Sequence, residues 1–164
     1  MIEFKATVGI ERQWDLLSSM TDLVKTGRIA FPRQVARELS QARHPDAPGA
    51  WIASAKRDVQ HPEPAEQTLV RVLQAGQLVD VNAPADREVA DPYVAALALE
   101  IVERHPQSHV VVVTNDIVDR LPMKIALRTA CERLGLQTCT MQPFVDWLDD
   151  PACLLQDPPA DPFA

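Results

Sequence analysis

Residues 90–116, ADPYVAALALEIVERHPQSHVVVVTND, constrain the fold more than any other stretch, because they demand a helix and then a buried strand within one short span. Pro92 carries the φ of a first helical turn and lacks the N–H that such a turn leaves unbonded, and the Asp91 before it is a favoured capping residue. Val94, Leu97, Ala98 and Ile101 then recur at the spacing of one apolar helix face. His109-Val110-Val111-Val112-Val113 reads as a short β-branched strand with no polar alternation, the pattern of a strand covered on both faces. It ends in Thr114-Asn115-Asp116, which puts Asp116 at a strand's carboxyl end. In open parallel α/β sheets, loops and helix N-termini converge on ligands at that edge. Taken singly, Asp91 reads as a helix cap and Asp116 as a turn residue.

The chain of 164 residues is long enough for one domain with a substantial core and too short for two ordinary ones. With 46% hydrophobic and 24% charged residues it has the balance of a globular protein. A net charge of −7 means that a nucleic acid would be held by a local basic patch rather than by global attraction. Cys131, Cys139 and Cys153 form no CxxC pair, which argues against a disulfide framework or a structural zinc site and for a reducing, cytoplasmic setting. Neither a secretory leader nor an apolar run of membrane-spanning length is present in the sequence.

Ahead of the central stretch, residues 11–25 read as an amphipathic helix with Ile10, Trp14, Leu17, Met20 and Val24 on its buried stripe, ended by Gly27. A second helix starts at Pro32, buries Val35 and Leu39, and sets Glu38 at the border of its apolar face. Pro45, Pro48, Pro62 and Pro64 bracket a short helix over residues 51–59 with Trp51, Ala55 and Val59 on one stripe, while His44 and His61 read as surface loop residues. A helix over residues 65–75 ends at Gly76, and Leu78-Val79-Asp80-Val81 reads as a strand. Asp80, Asp86 and Glu88 are loop and strand-edge charges, with Asp86 a reserve candidate for the acidic set.

Beyond Asp116, Asp119 reads as a turn residue near the same edge. Leu127, Ala130, Cys131 and Leu134 make a helical stripe stopping at Gly135, so Cys131 reads as a small core residue. Residues 137–141 form an expected strand, and Phe144, Trp147 and Leu148 anchor a last short helix. The remainder, DDPACLLQDPPADPFA, has four prolines, four aspartates and no basic residue, the composition of a mobile acidic tail. The expected organisation is one domain over residues 1–148 and a tail over 149–164. There is no internal repeat, glycine-rich phosphate loop, GxSxG or HExxH.

Ala90-Asp91-Pro92 opening an Ala-rich helix, followed by a valine strand ending Thr114-Asn115-Asp116, resembles the second half of a PIN domain, the α/β fold of metal-dependent ribonucleases that includes VapC-type toxins. Phe31-Pro32-Arg33-Gln34-Val35-Ala36-Arg37-Glu38-Leu39 resembles the segment in which such domains carry their second acidic residue. The resemblance spans about residues 1–148 and implies a three-layer α/β fold with a mostly parallel sheet, and a catalytic and metal-binding set of Glu38, Asp91 and Asp116. It further implies Mg²⁺ or Mn²⁺ as cofactor, RNA as substrate, a small antitoxin as partner and a homodimer. A hard divalent cation prefers oxygen ligands and supplies both a nucleophilic water and a counter-charge for phosphodiester hydrolysis, so carboxylates suffice without histidine or cysteine. Relatives of this type open with a buried strand ending in an acidic Asp-Thr-Ser or Asp-Thr-Asn motif. Ile2-Glu3-Phe4-Lys5 resembles the residues just after that motif, so a strand and a fourth carboxylate are expected upstream of Met1, and Glu3 falls inside the first helix rather than replacing it.

Three functions are compatible with these residues. The first is a metal-dependent endoribonuclease, and the second a catalytically degenerate PIN-like module that binds RNA or protein. The third is an unrelated Rossmann-like regulatory domain, because a fold does not by itself give a function. An RNA path, on the first two readings, runs past Arg33, Arg37, Lys124 and Arg128.

Overall fold

Three valines carry the sheet. In the computed structural model, which describes residues 2–40, 46–60, 63–82, 89–152 and 155, strand β1 (Val111–Val113) pairs in parallel with β2 (Gln137–Cys139). The register sets Val111 against Gln137, Val112 against Thr138 and Val113 against Cys139. Helix α7 (Leu127–Arg133) makes the crossover between the two strands. Among the described residues, six helices precede the sheet: α1 (Ile2–Thr7), α2 (Ile10–Lys25), α3 (Arg33–Ser40), α4 (Ala47–Ala55), α5 (Glu66–Ala75) and α6 (Asp91–Arg104). Helix α8 (Met141–Asp149) follows it. The protein is therefore mixed α/β, with a two-stranded parallel sheet among the described residues.

Successive side chains of a strand point to opposite faces, and the alternation along β1 divides the core in two. Val111 and Val113 pack against a cluster built on Phe4, Leu17, Met20, Trp51, Ile52 and Phe144, from α1, α2, α4 and α8. Val110 and Val112 pack against Val72, Leu78, Ala95, Leu99, Leu127 and Cys131, mainly from α5, α6 and α7. Helices thus cover both faces of the strand, which is why its sequence shows no polar alternation. Gly27 (φ +74°) and Gly135 (φ +72°) follow α2 and α7 in the left-handed conformation that a side chain disfavours, as expected of chain reversals after helices.

Several expectations are corrected. Ile10 and Trp14 are 79% and 61% exposed, and α2 buries Gln13, Leu16, Leu17, Met20 and Val24 instead, so the buried stripe is rotated from the one that periodicity predicts. Gln13 can lie inside because its Nε2 donates to the Val8 carbonyl at 3.1 Å. Residues 78–81 are not a strand. Leu78 is buried, but this segment meets residues 123–125 through two scattered backbone bonds, Ile125 N–H to Gln77 O at 2.8 Å and Val81 N–H to Met123 O at 3.3 Å. Asp80 then accepts the Asn82 N–H at 2.9 Å and turns the chain away. Helix α4 ends at Ala55, before Val59, and β2 ends at Cys139, with Met141 already in α8.

The start of the acidic tail is also tied down. Asp149 lies in α8 and its carboxylate takes Arg12 at 2.8 Å, the Pro151 carbonyl accepts from Arg28 at 2.5 Å, and Leu155 packs against the first cluster. His44, Pro45, His61, Pro62, Asp86, Glu88, Cys153 and residues 156–164 lie outside the described residues. No helix among the described residues is long and apolar enough to cross a membrane.

Glu100 is 5% exposed within α6, although nothing in the local pattern marks it as a buried charge. Its carboxylate accepts the Ala65 N–H at the start of α5 at 2.5 Å and pairs with Arg104 one turn on. Because α5 has no side-chain cap of its own, Glu100 performs that task across the helix pair. Glu100→Ala is expected to cost about 2 kcal/mol in urea unfolding, the scale of a lost hydrogen bond to a charged group, while Glu100→Gln, which keeps an acceptor, loses less. A cost for Glu100→Ala no greater than that of exposed Glu103→Ala would refute this role.

Candidate functional site

Asp116 leaves the end of β1 under tight local control. The Thr114 N–H extends the ladder to Cys139 O at 2.9 Å, and the Thr114 hydroxyl accepts the Asp116 N–H at 3.0 Å. Asn115 accepts the Met141 N–H at 2.8 Å at the start of α8. Asp116 Oδ2 accepts the Leu127 N–H at 3.1 Å at the start of α7, and Asp119 Oδ1 takes the neighbouring Ala126 N–H at 2.7 Å. The run Thr114-Asn115-Asp116 therefore distributes three side chains to a turn and two helix starts. Asp119 belongs to the capping of α7, and the bond from Ala126 followed by that from Thr129 holds its carboxyl below the usual range.

Asp91 stands in the first turn of α6, with Ala90 as the N-cap, so the expected capping role is corrected. Its carboxylate reaches out of the helix instead. Asp91 Oδ2 and Asp116 Oδ2 both accept from the ammonium of Lys124, at 2.6 and 2.8 Å. Two carboxylates from different elements, separated by 25 positions (116−91), thus meet on one positive charge. Glu38 comes to the same helix start by another route, its Oε1 accepting the Ala90 N–H at 2.9 Å. The fold thus joins two of the acidic residues singled out in sequence, Asp91 and Asp116, through a shared cation, while Glu38 bonds only the backbone beside Asp91.

Lys124 corrects a further expectation. The sequence offers it as a basic residue facing an RNA path, yet it is 8% exposed and committed to the two aspartates. Arg33, on the same expected path, pairs with Glu63, while Arg37 is exposed and Arg128 half-buried. Nothing in the sequence distinguishes Lys124 from a surface lysine, because Asp91 is 33 positions away, Asp116 is reached only across a loop, and Lys124 lies in no periodic element. Burial lowers its pKa, but the hydrogen bonds of Asp116 and then Asp91 outweigh that effect and leave it raised above 10.5. Cys131, on the buried face of α7, has its thiol pushed up to about 12 by burial and then by the charges of Asp91 and Glu132, which disfavours the reactive thiolate.

Among the described residues, no three His, Cys, Asp or Glu side chains are grouped to hold a metal ion. The donor set at Asp91 and Asp116 nevertheless suits a hard cation, since Mg²⁺ commonly takes one or two carboxylates and fills its remaining positions with water and substrate phosphate. The point on which these oxygens converge carries the Lys124 ammonium. No protein-family model, curated protein or solved structure matches the chain.

Asp116→Ala removes the Lys124 contact and the acceptor of the Leu127 amide together, and is expected to cost about 3 kcal/mol. Asp91→Asn removes one of two partners of Lys124 and is expected to cost less, about 1 kcal/mol. Urea unfolding of both variants checks the order; equal losses would mean that the bond to α7 contributes nothing.

Lys124 also predicts an alkaline limb of stability. Its folded pKa lies above its ordinary value of 10.5, so its contribution is complete below that value and is lost as pH rises through the folded one. Thermal melting between pH 9 and 12, on the order of the range titrated by lysines, should fall less steeply for Lys124→Met than for the wild type. Parallel curves would exclude the lysine as the source.

Proposed function

We propose that this protein is a PIN-like, Mg²⁺- or Mn²⁺-dependent endoribonuclease of the VapC-toxin type, acting at the edge formed by Glu38, Asp91 and Asp116. The observation that carries the reading is the convergence of Asp91 and Asp116 on one positive charge at the carboxyl end of a parallel strand. Support also comes from helices packed on both faces of β1, the local arrangement that a three-layer PIN fold with a larger parallel sheet requires.

On this reading Asp91 and Asp116 hold the ion, with Glu38 as the third acidic member. The ion, when bound, supplies a nucleophilic water near neutral pH and a counter-charge for the phosphate oxygens. The chain's own residues set the geometry. Thr114 and the Leu127 amide orient Asp116, and Glu38, by holding the Ala90 amide, fixes the helix start from which Asp91 projects. Such fixing of the groups around a ligand carboxylate governs affinity as much as the ligand itself. RNA is the substrate, and its backbone would pass the exposed arginines of α3, Arg33 and Arg37, beside Glu38. A small antitoxin and a second copy of the chain are the partners that this reading brings with it.

A second reading, a catalytically degenerate PIN-like module that binds RNA or protein, draws on the ammonium of Lys124 already standing between the two aspartates. Single-stranded RNA incubated with the purified chain separates the two. The nuclease reading expects cleavage that requires Mg²⁺ or Mn²⁺, stops with chelator, and falls by about 100-fold in Asp116→Asn and Glu38→Gln. RNA retention without cleavage in either metal would favour the module, and neither binding nor cleavage would exclude both.

A further inference from the structure

We infer that Lys124 is the resident cation of the acidic edge, and that a divalent ion reaches Asp91 and Asp116 only by displacing its ammonium. The inference rests on the proposed metal-dependent reading for the identity of the incoming ion, and on the structure for everything else. Two carboxylates directed at one point in a partly buried setting repel each other unless a positive charge stands between them. Lys124 supplies that charge with Asp91 and Asp116 at 2.6 and 2.8 Å, while its own side chain is almost wholly removed from water.

The backbone of Lys124 is fixed while its head group is not covalently committed. Its N–H donates to Arg120 O at 3.1 Å, its carbonyl accepts the Arg120 N–H at 2.8 Å, and the Met123 carbonyl beside it takes Val81 N–H. A lysine so placed can withdraw its ammonium by rotating its flexible four-carbon stem, without moving the chain that carries it. The adjoining segment borders solvent, since Ile117, Val118, Leu121 and Met123 are exposed, so a released ammonium would be hydrated there. Lys124 therefore acts as a positioning residue when the ion is absent, keeping the two carboxylates paired and the starts of α6 and α7 together. An entering Mg²⁺ or Mn²⁺ must release it, so metal affinity is lowered by the free energy of the lysine contacts, and the edge stays ordered without metal.

The test uses the full chain and Mn²⁺ or Mg²⁺ alone, read by binding and melting rather than by activity. Lys124→Met keeps an unbranched apolar stem, one atom shorter, and removes the charge. It is expected to melt lower than wild type in chelator, to bind Mn²⁺ at least about tenfold more tightly by calorimetry, and to regain melting temperature on adding Mn²⁺ to a degree that wild type does not. Should Lys124→Met fail to fold, wild-type protein with ¹⁵N-labelled lysine serves: a protected ammonium resonance, assigned by its absence from Lys124→Arg, is expected to disappear on saturation with Mg²⁺. Persistence of that resonance, or equal Mn²⁺ affinity in wild type and Lys124→Met, would overturn the inference. Equal affinity that is lost in Asp116→Asn would leave the metal site standing without the lysine, whereas tighter binding in Lys124→Met with no RNA cleavage would sustain the inference and remove the nuclease.

Discussion

The ion-paired triangle of Asp91, Lys124 and Asp116 holds the carboxyl end of β1 to the helices around it. It ties the first turn of α6, the end of β1 and the segment leading into α7 to a single ammonium. Each of these elements is fixed elsewhere by apolar packing, but packing is tolerant of small rotations and does not bring two like charges to one point. A cation must do so. Its removal would leave two neighbouring carboxylates in a setting where water screens them incompletely, and the α7 start, held by Asp116, would lose its anchor.

A common device runs through the rest of the fold. Residue Ala65 before α5, Ala90 before α6, Ala126 before α7 and Thr140 before α8 make no side-chain cap of their own. Their helix-start amides are satisfied from elsewhere in the chain instead. Glu100 takes Ala65, Glu38 takes Ala90, Asp119 takes Ala126, Asp116 takes Leu127 and Asn115 takes Met141. A helix N-terminus carries both unpaired N–H groups and the positive end of the helix dipole, so an acidic side chain from a neighbouring element is a favourable partner. By contrast α4 is capped locally, by Asp46 on the Gly49 amide at 2.9 Å. Capping at long range welds elements to one another as well as finishing each helix. It also places Glu38 and Asp116 beside the starts of α6 and α7.

That arrangement bears directly on chemistry. A carboxylate that already accepts a backbone amide has its orientation set before any ligand arrives, which reduces the ordering that binding must impose. Asp116 is so held by Leu127 and by the Thr114 turn, whereas Asp91 Oδ2 is held by the Lys124 ammonium. The two aspartates therefore differ in rigidity although they share a partner, and an exchange of one cation for another would be felt more by Asp91.

Local pattern determined a good part of this protein. Pro92 and the apolar positions after it specify α6, and the uninterrupted valines specify a strand covered on both faces, because each of these signals lies within a few residues, whereas Glu38 is singled out by a resemblance and not by its local pattern. Tertiary structure alone decided what each polar group touches. By local pattern Lys124 is like any surface cation, Asp91 like a cap, residues 78–81 like a strand, and Ile10 and Trp14 like core; each outcome differs because it depends on partners outside the local element. Periodicity reports which face of an element is apolar, but the neighbour that covers it, or the charge that neutralises a carboxylate, is chosen only when distant segments meet.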